Sequence, residues 1–387
     1  MSGCWSSVER RRNSHVEGTA TAAEKTGDKA HASSEENAEA ESCEKHGHER
    51  EEMIEPSAGQ QLDKMITGYW VSQAIYAAAK FGIADHLKDG SRSVDDLAAA
   101  TSTNSDALYR LLRALASIGI FAECEPRQFS LTPLAEPLQS DIPGSKRALA
   151  LMSGDEQFHA WAEIEFSIHT GSTAFEKVYG KPIFEYLGEH PDKARIFDAA
   201  MVGIHGRESD DILDAYDFSS MSVVADLGGG NGSQIINLLK RYPNLKGILF
   251  DLPHVIERAK KQIESAGLAD RCELVGGDFF DAVPNGADAY MMRHIIHDWD
   301  DNKSLTILRN CHRAMSPDSK LLVVESVIPA GNEPFGGKFL DLVMLLIPGG
   351  KERTADEYRE LFDAAQFDLS RVVPTSGEIS IVEGSKR

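Results

Sequence analysis

Residues 223–257 constrain this chain more than any other stretch. Val223-Val-Ala-Asp-Leu227 is an apolar run that enters Gly228-Gly-Gly-Asn-Gly232, an amphipathic segment follows, and a second apolar run, Ile248-Leu-Phe250, stops at Asp251. A buried strand ending in a glycine turn, then a helix, then a strand ending in an acid is the front half of a doubly wound nucleotide-type fold. Asp251 stands where a ribose diol is held.

The ligand is narrowed by what surrounds that turn. Gly228 and Gly230 fit the first two places of a dinucleotide fingerprint, but Ser233 occupies the third. Asp251 lies about 20 residues past the turn, a spacing at which a carboxylate reaches ribose hydroxyls. A second acid, Asp278, sits in Gly277-Asp-Phe-Phe280 after the next apolar run. Its carboxylate is placed to accept from an adenine amine, with Phe279 and Phe280 beside the base. No Gly-Lys-Ser/Thr follows the glycines, so a P-loop is excluded. Acid-lined loops suit a cationic ligand without phosphates. S-adenosyl-L-methionine, with its sulfonium and ammonium, meets that description.

The chain has 387 residues, enough for two domains, and a net charge of -21 that disfavours a nucleic-acid partner. No apolar run reaches about 18 residues, so no membrane association is expected. Met1-Ser-Gly-Cys-Trp5 lacks the apolar core of a secretory signal. Cys4, Cys43, Cys124, Cys272 and Cys311 are far apart and form no Cys-x-x-Cys, which fits free thiols in the cytoplasm. Residues 1–56 are rich in Glu, Ala, Ser and Lys and are expected to be a disordered acidic tail. Arg10-Arg-Arg12 and His46-Gly-His48 are read as parts of that tail rather than as a targeting or metal site.

Residues 57–150 are expected to form a winged-helix-like domain. Leu62, Met65, Ile66, Tyr69, Ile75 and Ala79 recur at helical spacing, predicting one apolar helix from Leu62 to Phe81 with nothing local to cover it. Ser93 looks like the cap of a short helix, Leu108 to Ile118 repeats at three and four, and Phe121 to Leu131 reads as a hairpin broken by Pro126. Such modules read DNA or pair subunits. The few basic residues, Arg110, Arg113 and Arg127, lie among acids, which favours a homodimer over a DNA-binding regulator. Residues 151–387 comprise a helical connector rich in aromatic residues, which suits core packing or the wall of an aromatic pocket. An alternation of strands and helices follows, predicting a parallel sheet covered on both faces.

Asp226-Leu-Gly-Gly-Gly-Asn-Gly232, Phe250-Asp-Leu-Pro-His254, Gly277-Asp-Phe-Phe280, Arg293-His-Ile-Ile-His-Asp-Trp-Asp-Asp301 and Gly349-Gly-Lys-Glu-Arg-Thr354 occur in this order. Together they resemble the plant caffeate/flavonoid and hydroxyindole O-methyltransferases and their bacterial relatives, from about Ala58 to the C-terminus. The resemblance implies a mostly helical winged-helix dimerisation domain and a Rossmann-like catalytic domain. It also implies metal-free methyl transfer from S-adenosyl-L-methionine to a hydroxyl of a small aromatic or polyketide-like acceptor.

Carried over by motif, Gly228, Gly230, Asp251, Leu252, Asp278, Phe279, Phe280 and Arg293 fall at cofactor contacts. His297 matches the catalytic base, and Glu325 and Glu352 match the acids that flank it. Met152, Phe184, Met201 and Asp298 fall in the acceptor region. Two positions depart from the family. Ser153 replaces an asparagine of the plant phenylpropanoid enzymes. His205 replaces a serine or tryptophan near the cofactor and is taken as a further cofactor contact. His294 is read as structural. The acids Asp298, Asp300 and Asp301 invite a Mg²⁺ site, but a cap on the helix near Lys303 is preferred and no metal is expected.

The chemistry agrees. A phenol titrates near ~10 and is a poor nucleophile at neutral pH, whereas a histidine near ~6.5 can take its proton as the oxygen attacks. A carboxylate on the other ring nitrogen orients the imidazole. The alternative on the same scaffold is an S-adenosylmethionine-binding enzyme that decarboxylates or hydroxylates.

Overall fold

The computed structural model describes residues 56–387, apart from Arg207. The acidic tail, Arg10–Arg12, His46, His48, Cys4 and Cys43 lie outside the described residues.

The first helical stretch is two helices, not one. Ala58–Ile66 and Gly68–Lys80 are separated at Thr67, whose hydroxyl donates to the Asp63 carbonyl at 2.7 Å. Such back-bonding by Thr competes with the helical ladder, and the glycine that follows lowers helix propensity further. The apolar face is uncovered as expected: Leu62, Met65, Ile66, Tyr69 and Trp70 are all more than half exposed. Ser93 caps Val94–Thr101 by accepting from the Asp96 N–H, and Asn104 caps Ser105–Ala116 by accepting from Ala107. Strands β1 (Arg92–Ser93), β2 (Phe121–Glu125) and β3 (Gln128–Leu131) form a small antiparallel sheet in the order β1-β3-β2. Leu108, Leu112 and Leu115 pack under it with Phe121 and Phe129. Arg127, one of the few basic residues here, is tied to Asp95 and Asp106 at 3.3 and 3.4 Å.

The larger sheet contains β4 (Val223–Leu227), β5 (Lys246–Asp251), β6 (Cys272–Gly276), β7 (Ala289–Arg293), β8 (Lys320–Ile328), β10 (Phe367–Pro374) and β11 (Ile379–Lys386). Their order is β6-β5-β4-β7-β8-β11-β10, and β9 (Arg353–Thr354) pairs with β8. The five strands from β6 to β8 are parallel. The last two are not: β11 runs antiparallel to both β8 and β10, so the sheet is mixed rather than wholly parallel. Alternate residues face opposite layers. Val224, Leu249, Met291 and Leu322 pack against Ile235, Leu239 and Ile263. Ala225, Phe250, Tyr290, Met292 and Val323 pack against Ile307, Leu308, Tyr358 and Phe362. Covering both faces requires near-continuous apolar strands. Functional groups gather at the carboxyl ends of the parallel strands, where Gly228, Asp251, Asp278, Arg293 and Glu325 collect.

Candidate active site

His297 lies in a short 3₁₀ turn, Ile296–Asp298, just past the end of β7. It is buried, and two glutamates hold it in different ways. Glu352 Oε1 is 2.6 Å from the ring Nδ1. Glu325 Oε1 instead accepts from the backbone N–H groups of Ile295 and His297 at 3.2 and 3.0 Å, while the Tyr358 hydroxyl donates to its other oxygen. One acid therefore orients the ring and the other fixes the turn that carries it. The remaining ring nitrogen, Nε2, faces Asp298 Oδ1 at 3.6 Å.

Glu352 reaches the ring because Gly350 lets two backbones touch. A Cβ on Gly350 would stand 1.9 Å from the His297 carbonyl oxygen. Lys351 N–H donates to that same carbonyl at 2.9 Å, and Glu352 N–H donates to Asp341 Oδ1 at 2.9 Å. Arg353 is fully buried beneath the turn. Its guanidinium donates to the carbonyls of Ile296, Trp299 and Lys351, to Ser304 Oγ and to Asp301. Asp301 opens the helix Asp301–Ala314, and Asp300 caps that helix by accepting from Lys303 N–H at 3.0 Å.

The electrostatics follow from three carboxylates around one imidazole, Glu325 and Glu352 buried and Asp298 partly exposed. Burial opposes charge on His297, but Asp298, Glu352 and Glu325 outweigh it and raise its pKa to about 10. Burial pushes Asp298 up to about 6 and also raises Glu325, with the cation on His297 pulling both back.

The cofactor candidates form a second group. Gly228 (φ 69°) turns sharply at the end of β4, and a Cβ there would meet Ile295 Cδ1 at 2.4 Å. Asp251 Oδ2 accepts from Gly230 N–H at 2.9 Å and Oδ1 accepts from Leu252 N–H at 2.7 Å, so this carboxylate ties the glycine loop to the end of β5. Burial raises its pKa. Gly277 N–H donates to the Asp251 carbonyl at 3.0 Å, which brings the Asp278 loop alongside. Asp278 itself is exposed and accepts from Phe280 N–H. Asn310 Nδ2 donates to the carbonyls of both Phe279 and Phe280, and Trp299 meets both rings edge-on. Leu252 is exposed beside them. Towards β7, Arg293 Nη1 and Asp226 Oδ2 are buried without hydrogen-bond partners. Burial raises Asp226 to about 6, against the pull of Arg293.

The acceptor candidates divide. Met152 lines a small cavity with Phe175, Ile183, Tyr186 and Phe197, and the ion-paired Lys193 and Glu156 form its polar side. Phe184 links Phe197 to Trp299, with ring centroids 6.4 and 5.8 Å away, and so joins the cavity wall to the His297 loop. Met201 is not among the cavity residues; it lies one helical turn before His205 and accepts from the His205 N–H. His205 stacks on His294 at 4.1 Å, and His294 Nε2 is 2.9 Å from Glu208 Oε2. His294 is therefore not a remote packing residue: its ring lies 5.1 Å from that of His297. Burial lowers His205 to about 3 and holds His294 well below its usual value.

Residues not anticipated from the sequence are Glu208, Asp341, Arg353 and Tyr358. Arg353 was visible as the neighbour of Glu352 in the Gly-Gly-Lys-Glu-Arg-Thr run. Tyr358 reads as a core aromatic, and neither Glu208 nor Asp341 carries a local signal.

Residues 64–141 match an O-methyltransferase dimerisation domain and residues 161–368 match an O-methyltransferase domain. Phenazine O-methyltransferase PhzM of Lysobacter antibioticus is 49% identical over 322 residues, 83% of this chain and 94% of that protein. The crystal structure of LaPhzM superposes with a TM-score of 0.83 at 48% identity, covering 85% of this chain and 99% of that one. NcsB1 from neocarzinostatin biosynthesis, solved with S-adenosylmethionine and 2-hydroxy-5-methyl naphthoic acid, gives 0.74 at 33% identity over 82% and 96%. The dimerisation module, the mixed Rossmann-like sheet and these relationships show that the chain belongs to the S-adenosylmethionine-dependent O-methyltransferase family, whose members act on small aromatic and polyketide acceptors.

Proposed function

We propose that this enzyme moves the S-adenosylmethionine methyl group to a phenolic hydroxyl of a planar fused-ring acceptor, with His297 as general base. The observation that carries the reading is the imidazole itself. Nδ1 is engaged by Glu352 at 2.6 Å, and Nε2 lies 3.6 Å from Asp298 Oδ1, beyond hydrogen-bond reach. An acceptor hydroxyl at Nε2 gives up its proton there as its oxygen attacks the methyl carbon and the sulfonium leaves as a thioether. The bound cofactor supplies the methyl group and the leaving sulfur. The protein's part is alignment and proton removal. Glu352 sets the tautomer, Glu325 sets the position of the turn, and Asp298 is placed to contact the acceptor.

Support for a fused-ring acceptor comes from the aromatic wall of Phe175, Tyr186, Phe197 and Phe184 and from the phenazine and naphthoic acid named for the relatives. Methyl transfer across a panel of hydroxylated phenazines, naphthoates, indoles and phenylpropanoids tests this. Fused-ring phenols are expected to turn over fastest. A preference for single-ring phenylpropanoids would overturn the acceptor class. Retention of His297 with both glutamates favours methyl transfer over decarboxylation or hydroxylation.

Asp251 is assigned to the ribose, Asp278 to adenine, and Arg293 with Gly228 to the methionine end. Asp251→Ala is expected to weaken cofactor binding by about 1.5–3 kcal/mol, because a charged acceptor is lost. Calorimetry giving the wild-type affinity would remove that assignment.

Residues 57–150 are assigned as the dimerisation domain and 151–387 as the connector plus catalytic domain of a cytoplasmic homodimer. Among the described residues no helix is long and apolar enough to cross a membrane. The exposed face of Leu62, Met65, Ile66, Tyr69 and Trp70 is assigned to the partner subunit. Ile66→Asp with Tyr69→Asp is expected to give monomers or aggregates in sedimentation, since obligate interfaces commonly bury more than about 2,000 Å². A wild-type protein that is itself monomeric at micromolar concentration contradicts the assignment.

A further inference from the structure

Proton removal from the acceptor does not use the cluster of His205, Glu208 and His294, although His205 also stands as a candidate cofactor contact. Its three candidate ligand atoms all lie within 4.8 Å of one another, the one such set among the described residues. The His294 Nε2 to Glu208 Oε2 separation is 2.9 Å. Ligands about 2.0–2.2 Å from a tetrahedral zinc ion stand roughly 3.3 Å apart, so two of the three are already near that spacing. The third needs a shift of about 1.5 Å or less to reach the same spacing. The two imidazoles are stacked with planes 11° apart, so one ring must turn before both in-plane lone pairs can meet one ion. His205 sits just past the end of the helix Pro191–Ile204, and its ring must turn to bring a nitrogen to the other two ligands. His294 is pinned more firmly: its φ is 55°, its N–H donates to the Val324 carbonyl, and its Nδ1 is buried without a partner.

We propose that His205, Glu208 and His294 form an inhibitory site for a borderline divalent cation, with Zn²⁺ as the chemical type. Two imidazoles and one carboxylate suit such an ion and leave a fourth position open. The surroundings decide what binding does. Arg293 Nη1 lies 4.0 Å from Glu208 Oε2, and this cation weakens the site relative to a dedicated structural one. The His297 ring lies 5.1 Å from His294. A dication here repels both a protonated His297 and the positive sulfonium of the cofactor, so the metal and S-adenosylmethionine exclude each other. No step of methyl transfer passes through the ion.

The test uses the purified full chain, freed of metal by a chelator. Zn²⁺ is expected to inhibit methyl transfer, with inhibition overcome by raising S-adenosylmethionine and reversed by a chelator. Co²⁺, added alone, is expected to give the visible absorption of a low-coordinate nitrogen and oxygen site. His205→Ser and Glu208→Gln, each compared with its own metal-free rate, should weaken both responses by at least about tenfold, as loss of a ligand costs no less than loss of its supporting partner. Two results overturn the proposal: a wild type that binds neither ion, or variants that keep the wild-type zinc sensitivity and cobalt spectrum. His205→Ser changes only a loop position, so the test survives a Glu208→Gln that fails to fold. The cobalt measurement needs no turnover, which separates failure of the site from failure of the assigned reaction.

Discussion

His297→Ala is expected to lower kcat on a neutral phenol by about 10²–10⁴-fold, the usual worth of a positioned general base. Cofactor affinity should hardly change, because the ribose and adenine contacts assigned to Asp251 and Asp278 lie at other strand ends. The pH dependence follows from the charges around the ring. With its pKa raised to about 10 by neighbouring carboxylates, His297 carries a proton in the free enzyme at neutral pH. The wild-type kcat/KM should therefore rise with pH across the neutral and alkaline range and level off by about 10. In the complex the break moves lower, since the sulfonium disfavours a second positive charge. For an acceptor already ionised at the assay pH, the His297→Ala defect should shrink, because no proton remains to be taken. The same shift has a stability consequence. A folded pKa above the ordinary 6.5 contributes stability that is complete below that value and is lost as pH rises towards about 10. Wild type should lose more melting temperature over that window than His297→Ala does. A variant with near wild-type turnover on a neutral phenol, or a flat wild-type profile, contradicts the assignment.

Arg353→Met is expected to destabilise the fold by about 1–3 kcal/mol, the usual effect of removing a charged donor from buried acceptors; its ionic partner Asp301 is more than half exposed and stays solvated. The guanidinium satisfies the carbonyls of Ile296, Trp299 and Lys351 in one plane and ties them to Asp301. Methionine fills similar volume but donates nothing; the Ile296 and Trp299 carbonyls keep the Ser304 hydroxyl, while the Lys351 carbonyl and the Asp301 carboxylate lose this partner. These carbonyls flank His297 and Glu352, so the turnover that survives should fall as well. Arg353→Lys should recover little, because one ammonium cannot reach the same set of acceptors. Chemical denaturation showing a loss below about 1 kcal/mol, less than a typical buried polar group costs, would mean that water takes over these contacts.

Much of this arrangement is legible in local chemistry. The strand and glycine turn at Val223–Gly232, the cap at Asp300 and the acids at the ends of β5 and β6 follow from short patterns. What resists reading is tertiary. The helix Gly337–Leu346 carries little local signal, because Gly336 and Gly337 look like loop and Phe339 to Leu346 is apolar almost all round, without a stripe. That helix supplies Asp341, which positions Glu352. Thr67 splits the first helix through a hydroxyl contact that periodicity ignores. The antiparallel turn of β10 and β11 depends on pairing with β8, not on composition. Glu325 and Glu352 look equivalent in sequence, yet one holds backbone and the other holds the ring. That difference arises only when Gly350 brings its strand against the His297 turn.

The central claim is tested most directly by incubating the enzyme with isotopically labelled S-adenosylmethionine and a hydroxyphenazine, then locating the label by mass and NMR. The account predicts a single methyl ether at the phenolic oxygen, formed by wild type and nearly absent with His297→Ala. Label on a ring nitrogen, or an O-methyl product made equally well by both proteins, would contradict it.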